Sequence, residues 1–101
     1  MSLKVVIPTP LRKHTAGAEV VEVDPGTVQE IIDRLESRYP GIRNSICDDK
    51  GGLRRFINIY IDGEDVRFLD NLSTPAKDGS EIAIDRTEIA TYTAAMAVYI
   101  N

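Results

Sequence analysis

The chain has 101 residues, of which 43% are hydrophobic and 28% are charged, and its formal net charge at pH 7 is −4. This length and composition are typical of one globular domain, and the acidic balance argues against a nucleic-acid partner because phosphate binding needs a basic surface. No apolar run approaches the ~20 residues that span a bilayer, and the N-terminus lacks a signal-peptide core, so we expect a cytoplasmic protein without a membrane partner.

Two β-branched segments near the start of the chain predict a β-hairpin. Residues 3–7 form the first predicted strand, which Pro8 and Pro10 bring to an end. A turn at 15–17 leads into a second predicted strand at 19–23. Residues 24–26 (DPG) then have the composition of a turn.

A helix is predicted to begin at Thr27. Thr27 and Glu30 have capping-box spacing, in which each side chain can bond the other residue's free backbone N–H. Apolar side chains then recur along one helical face, at Val28, Ile31, Ile32, Leu35 and Tyr39. Pro40-Gly41 is expected to end the helix.

The next segments predict a connection and a central strand. Residues 42–55 are interpreted as a polar connection with Ile42 and Ile46 tucked under it. Residues 56–61 (FINIYI) alternate, so that the three isoleucines should face the helix while Asn58 and Tyr60 point the other way. Asp62-Gly63 is a tight-turn signal.

The last part of the predicted domain consists of turns and one strand. Residues 64–80 are expected to form loops or short turns, with Val66, Phe68, Leu69 and Leu72 as local anchors. Residues 81–84 form the final predicted strand. The order β-β-α-β-β implies an α+β fold of the β-grasp type, a mixed sheet with one main helix across one face. We assign 1–84 to this domain and 85–101 to a C-terminal tail.

Residue types that carry chemistry are sparse. Cys47 and His14 are the only cysteine and the only histidine, so no disulfide or transition-metal site is expected. Asp48-Asp49 should raise the pKa of the Cys47 thiol, which favours a structural cysteine, and His14 is expected in the hairpin turn. We predict no catalytic, cofactor-binding or metal-binding residue, and therefore not an enzyme.

Short charged and glycine-containing pairs do not alter that conclusion. The acidic pairs at 48–49 and 64–65 are expected to be solvated, and Gly51-Gly52 lacks the Lys-Ser/Thr that a phosphate loop requires. The basic pairs Arg12-Lys13 and Arg54-Arg55 are too small to indicate a nucleic-acid surface.

Three segments together resemble the MoaD/ThiS superfamily of ubiquitin-like sulfur carriers. They are 7–12 (IPTPLR) with His14-Thr15, 53–61 (LRRFINIYI) and 63–68 (GEDVRF). Within this superfamily the chain is most similar to the branch that feeds sulfur to a cysteine synthase. The resemblance covers residues 3–84 without a gap.

The resemblance implies a small protein that donates a thiocarboxylate in cysteine, molybdopterin or thiamin synthesis. In this family an adenylating, E1-like enzyme activates the carboxylate of a C-terminal Gly-Gly, and a synthase accepts the sulfur. Residues 85–101 contain no glycine, so we expect that the chain as written accepts no sulfur. The alternative is a non-catalytic β-grasp module that binds a partner protein through its sheet.

The composition of 85–101 leaves the conformation of the tail open. Apolar residues fit one stripe of a helix or one face of a strand, and disorder is the third possibility. An ordered tail needs cover, either from the sheet face near Asn58, Tyr60 and Ala83 or from a second copy of the chain in a homodimer. These three residues are the predicted partner surface.

Overall fold

The computed structural model describes residues 1–87, which form a twisted sheet with one main helix on one face. The strands are β1 (Leu3–Val6), β2 (Val20–Val23), β3 (Gly26–Thr27), β4 (Ile57–Ile61), β5 (Glu64–Asp65), β6 (Pro75–Ala76) and β7 (Glu81–Arg86). The helices are α1 (Val28–Arg38) and α2 (Ile42–Ile46), with 3₁₀ helices at Thr9–His14, Val66–Phe68 and Asn71–Ser73.

The five-stranded sheet has the order β2-β1-β7-β4-β5. β1 runs parallel to β7, and the other neighbouring pairs are antiparallel. β3 and β6 form a separate two-stranded pair. In this mixed sheet the first and last long strands, β1 and β7, are parallel neighbours, and α1 lies in the chain between the β1–β2 hairpin and the later strands. This arrangement confirms the predicted β-grasp fold.

The start of α1 has the predicted capping box. The Thr27 hydroxyl accepts a bond of 3.2 Å from the Glu30 N–H, and the Glu30 carboxylate accepts one of 2.9 Å from the Thr27 N–H. The helix ends at Arg38, one residue earlier than the apolar stripe suggested. Tyr39 leaves helical geometry (φ −129°, ψ 79°) because the residue before a proline is disfavoured in a helix.

The core lies between α1 and the sheet. Its predicted members are all at least nine-tenths buried: Val5, Ile7, Val21, Val28, Ile31, Ile32, Leu35, Ile57, Ile59, Ile82 and Ile84. Helix periodicity and strand alternation therefore placed these residues correctly. The two-residue turn between β4 and β5 is also confirmed, since Asp62 (φ 48°) and Gly63 (φ 89°) both have the positive φ that a tight hairpin requires.

Residues 42–46 form α2, where the sequence suggested an irregular connection. Gly41, at φ 104°, reverses the chain after α1. The Glu36 carboxylate then accepts hydrogen bonds from the N–H groups of Gly41 and Arg43 and satisfies the start of this short helix. The capping side chain precedes α2 and belongs to α1, which is why local propensity missed it. Ile42 and Ile46 are fully buried, as predicted.

Two expected anchors in the segment after β5 were wrong. Phe68 is 87% exposed and Leu69 is 43% exposed, whereas Val66 is buried and Leu72 packs partly buried against the core. A 3₁₀ helix has three residues per turn, so a single turn such as Val66–Phe68 directs only one of its side chains inward.

β7 is longer than predicted. It continues through Asp85 and Arg86, which pair with Asn58 and Ile57 of β4. Two residues that the sequence analysis placed in the tail therefore extend the sheet. The expected conformations of the rest of the tail fall on residues 88–101, outside the described part of the chain.

Candidate partner-binding surface

The face of the sheet opposite α1 carries a row of apolar side chains. Val20 of β2 pairs with Val6 of β1, and Val6 also pairs with Ala83 of β7. Ala83 in turn pairs with Tyr60 of β4. Side chains of paired residues lie on the same face, so these four side chains form one line across four strands, which we call the apolar row. Val20 is 48% exposed, and the other three are half-buried.

Charged side chains border the apolar row on one side. Lys4 lies two residues before Val6 on the same face of β1, and it pairs with Glu22 of β2 and with Glu81 of β7. Beyond them the Asp62 carboxylate accepts a hydrogen bond of 2.9 Å from the Glu81 N–H. The row is therefore apolar along its length and acidic along this edge.

A shallow groove continues from the other side of the row. It has a volume of about 550 Å³, and its walls include Pro8 and Thr9 after β1, Tyr60 and Ala83 of the row, and Asp85 of β7. An apolar surface that contains an aromatic residue and has a polar border has the composition of a protein-binding site.

The three predicted surface residues share this face, but their surroundings differ. Tyr60 and Ala83 are direct cross-strand partners in the row. Asn58 lies next to the row on β4 and accepts a hydrogen bond of 2.8 Å from Arg67. The sequence analysis missed Val6 and Val20, because alternation gives the face of a residue but not the strand that lies beside it.

Cys47 and His14 hold structural positions. Cys47 is 4% exposed. Burial raises the pKa of its thiol, Arg43 opposes this, and the Asp48 carboxylate adds a smaller increase. Burial is thus the main cause, where the sequence suggested the acidic neighbours. His14 ends the 3₁₀ helix in the connection between β1 and β2, and its Nε2 lies 3.0 Å from the Ser45 hydroxyl.

This chain is similar to known proteins in sequence and in structure. The sequence profile of the ThiS family matches residues 5–84, which includes the whole sheet except the first two residues of β1 and the last two of β7. The chain belongs to the ThiS family. The sulfur carrier protein CysO of Mycobacterium tuberculosis is 42% identical over 86 residues, which are 83% of this chain and 92% of that protein.

Solved structures of ThiS-like proteins have the same fold. CysO in the BexX/CysO complex of Amycolatopsis orientalis is 45% identical, with a TM-score of 0.80 over 84% of this chain and 94% of that one. The small archaeal modifier protein SAMP1 of Haloferax volcanii is 26% identical, with a TM-score of 0.71 over 85% of this chain and 94% of that one.

Membership in the ThiS family confirms the resemblance on which the sequence analysis relied, and confirms that the chain is of a carrier type and not an enzyme. The complex with BexX shows that a CysO relative binds a protein partner.

Within residues 1–87, no group of three or more His, Cys, Asp or Glu side chains could hold a metal ion. The described helices are all too short or too polar to cross a membrane.

Proposed function

We propose that residues 1–87 form the domain of a protein sulfur carrier of the cysteine-biosynthesis type, which transfers sulfur when its chain ends in Gly-Gly, and that its partners dock on the apolar row. The family and the sulfur-carrier relatives support the first part. The apolar row of Val20, Val6, Ala83 and Tyr60 supports the second, because it leaves apolar surface on the sheet face opposite α1. Tyrosine is enriched among the residues that dominate binding energy in protein interfaces.

The chemistry of such a carrier takes place on a terminal carboxylate. An adenylating, E1-like partner joins that carboxylate to the α-phosphate of ATP and releases pyrophosphate. A sulfur donor then displaces AMP, so that a C–S bond replaces the C–O bond and a thiocarboxylate results. A synthase partner finally accepts the sulfur. The domain itself supplies no reacting group in these steps, and its contribution is to hold the segment after β7 in front of the partner.

The geometry of β7 supports this role of the domain in holding the segment that follows it. Ala83 of the apolar row precedes Arg86 by three residues, which is roughly 10 Å along a strand. The Thr87 N–H then donates a hydrogen bond of 2.8 Å to the Phe56 carbonyl. The position at which the chain leaves the sheet is therefore fixed relative to the row, and a partner on the row stands beside the departing segment.

The test uses residues 1–87 followed by a segment that ends in Gly-Gly. This junction keeps Asp85 and Arg86, which belong to β7, and the Thr87 contact with Phe56. We expect incubation with the adenylating enzyme of a CysO system, ATP and sulfide to raise the mass by the exchange of one oxygen for sulfur. The full chain as printed, which has no glycine after Gly79, is expected to show no such increase.

A matched pair of variants tests the docking surface. Tyr60→Ser in the Gly-Gly version should lower the rate of thiocarboxylate formation at least about tenfold. Phe68→Ser removes another exposed aromatic, 87% accessible and off the row, and should leave the rate unchanged. Equal losses in both variants would contradict the row as the docking site.

A different result would favour the interaction module. If CysO of Mycobacterium tuberculosis gains sulfur under the same conditions and the Gly-Gly version does not, the carrier proposal is wrong. Binding to the enzyme without sulfur transfer would then assign the chain to the non-catalytic class. A homodimer through residues 88–101 and a cytoplasmic location stay predictions from the sequence.

A further inference from the structure

Three cationic side chains line one cleft beside the end of β7. Lys13 comes from the first 3₁₀ helix, Arg54 from the segment before β4, and Arg86 from the last position of β7. The cleft has a volume of about 340 Å³, and Ser45 and Phe56 also contribute to its walls. Among the described residues that line it, none carries a carboxylate. We call Lys13, Arg54 and Arg86 the exit cluster.

The exit cluster is unusual in a chain whose net charge is −4. Two other cations on the segments that line the cleft are paired, since Arg12 lies 3.5 Å from Glu19 and Arg43 lies 2.7 Å from Asp33. Arg55, in contrast, lies over the Phe56 ring and adds to the positive charge beside the cleft. The three members of the cluster have no ion pair within residues 1–87. Positive charge therefore concentrates at this cleft without compensation from the described domain, and the site is complementary to a negatively charged partner.

Arg54 is held in place before any partner arrives. Its Nε donates a hydrogen bond of 2.6 Å to the Asn44 carbonyl, and its own carbonyl accepts one of 3.0 Å from Arg67. Its N–H donates to the Ile46 carbonyl at 3.0 Å. These contacts fix the stem of the side chain and leave the terminal nitrogens for a ligand, which reduces the entropy cost of binding.

The backbone of the cleft favours carboxylate ligands over phosphate. Phosphate sites commonly use several free backbone N–H groups. Here the N–H groups of Leu11, Arg54 and Ile57 donate to carbonyls within the domain, and Pro10 has none. Side-chain cations are therefore the main ligands that the cleft offers, and arginine binds a carboxylate through two parallel hydrogen bonds.

The place of the cleft identifies the kind of partner. Phe56, which lines the cleft, accepts hydrogen bonds from both the N–H and the hydroxyl of Thr87. Thr87, the last described residue, is therefore bonded to a wall of the cleft, and the exit cluster lies beside it. We propose that the exit cluster binds acidic residues of the protein partner that acts on this segment. This inference rests on the proposed carrier function and names the charge of the partner's surface around the departing chain.

The first experiment does not need the partner. Amide ¹H–¹⁵N spectra of the full chain are recorded with a hexaglutamate peptide and, separately, with inorganic phosphate at equal ionic strength. We expect the peptide to shift the resonances of Lys13, Ser45, Arg54, Phe56 and Arg86. The double variant Arg54→Glu/Arg86→Glu should lose these shifts, and the control Arg38→Glu/Lys77→Glu, which changes two exposed cations outside the cleft, should keep them.

Three results would overturn the inference: no shifts at these residues, shifts spread over all lysines and arginines, or equal shifts from phosphate alone. The last would assign the cleft to a phosphate ligand.

A second experiment uses the adenylating enzyme that forms the thiocarboxylate. Charge reversal of Arg54 and Arg86 should lower its association rate about tenfold at low salt, and the difference should shrink as salt is added. An unchanged rate in the variant contradicts the acidic partner surface. Failure of the carrier proposal would instead show as an absence of thiocarboxylate in the Gly-Gly version with an intact exit cluster.

Discussion

The guanidinium of Arg67 donates a hydrogen bond of 2.8 Å to the side-chain oxygen of Asn58. A second bond of 3.0 Å runs from the same guanidinium to the Arg54 carbonyl. Arg67 thus connects the turn after β5 to the outer face of β4 and to the segment that carries Arg54 of the exit cluster. A partner on the sheet would meet an Asn58 side chain that is already hydrogen-bonded to Arg67, so Tyr60 and Ala83 are the part of the predicted surface that can be contacted without breaking that bond.

Replacement of Arg67 by alanine should therefore reduce stability modestly. Both groups are exposed, so we expect a loss of about 0.5–1 kcal/mol in the free energy of unfolding, measured by urea denaturation. Lys77→Ala, which removes an exposed cation at the other end of the domain, is the control. A double-mutant cycle with Asn58→Ala isolates the pair, and strict additivity would mean that the bond contributes nothing.

The core should be far more sensitive than the open face. Ile59 is 1% exposed between α1 and the sheet, so Ile59→Ala should cost about 2–5 kcal/mol, from lost burial and the cavity left behind. Val20→Ala shortens a β-branched side chain that is 48% exposed and should stay within about 0.5 kcal/mol of the parent. Similar losses for both variants would contradict the assignment of the two faces.

The capping box gives a local prediction for α1. Thr27→Ala removes the acceptor for the Glu30 N–H and should lower stability by about 1 kcal/mol, while Thr27→Ser should retain most of it. Ser37→Ala, near the other end of the same helix, is the matched control for loss of a hydroxyl. Thermal unfolding of the three variants, followed by circular dichroism, provides the comparison, and equal melting temperatures would exclude a role for the cap.

The loss of folding stability at low pH should depend on Glu36. Hydrogen bonds from the N–H groups of Gly41 and then Arg43 hold the pKa of its carboxyl below the ordinary value of 4.5. A pKa that is lower in the folded state stabilises the fold fully above 4.5, and this contribution is lost as the pH falls through the folded pKa. Glu36→Gln should be less stable than the parent at pH 7, and the gap should close below pH 4.5.

Urea denaturation between pH 7 and pH 3 measures that gap. The control Glu64→Gln changes an exposed carboxyl whose side chain has no hydrogen bond within residues 1–87, and it should have the stability of the parent at pH 7. A constant gap between the parent and Glu36→Gln at all pH values would show that the capping bonds do not depend on ionisation.

The apolar composition of the C-terminal segment gives a prediction for the full chain. Residues 88–100 contain several large apolar side chains, and the sequence predicts that the domain or a second copy covers them. A chain that ends at Thr87 should then have a lower melting temperature than the full chain, or should sediment with fewer chains per particle. If the melting temperature and the number of chains per particle are both unchanged, the segment contributes neither stability nor association.

Local patterns predicted the elements of this domain well where one segment carries the whole signal. The alternation of Ile57, Ile59 and Ile61 and the stripe of α1 gave the correct buried faces, because side-chain periodicity depends only on backbone geometry. The prediction failed where a residue of another element decides the local structure or the burial of a side chain. α2 depends on the carboxylate of Glu36, and the exposure of Phe68 depends on how one 3₁₀ turn meets β4.

The same distinction holds for the candidate sites. Residue patterns and the family resemblance were enough to predict the β-grasp fold and the carrier family, and they placed Tyr60 and Ala83 on the open face. The row of Val20, Val6, Ala83 and Tyr60 became visible only in the folded chain, because strand register joins residues up to 77 positions apart, as in the pairing of Val6 with Ala83. The fold also brought Lys13, Arg54 and Arg86 to one cleft, since the parallel pairing of β1 with β7 places the chain segments that follow each strand at the same end of the sheet.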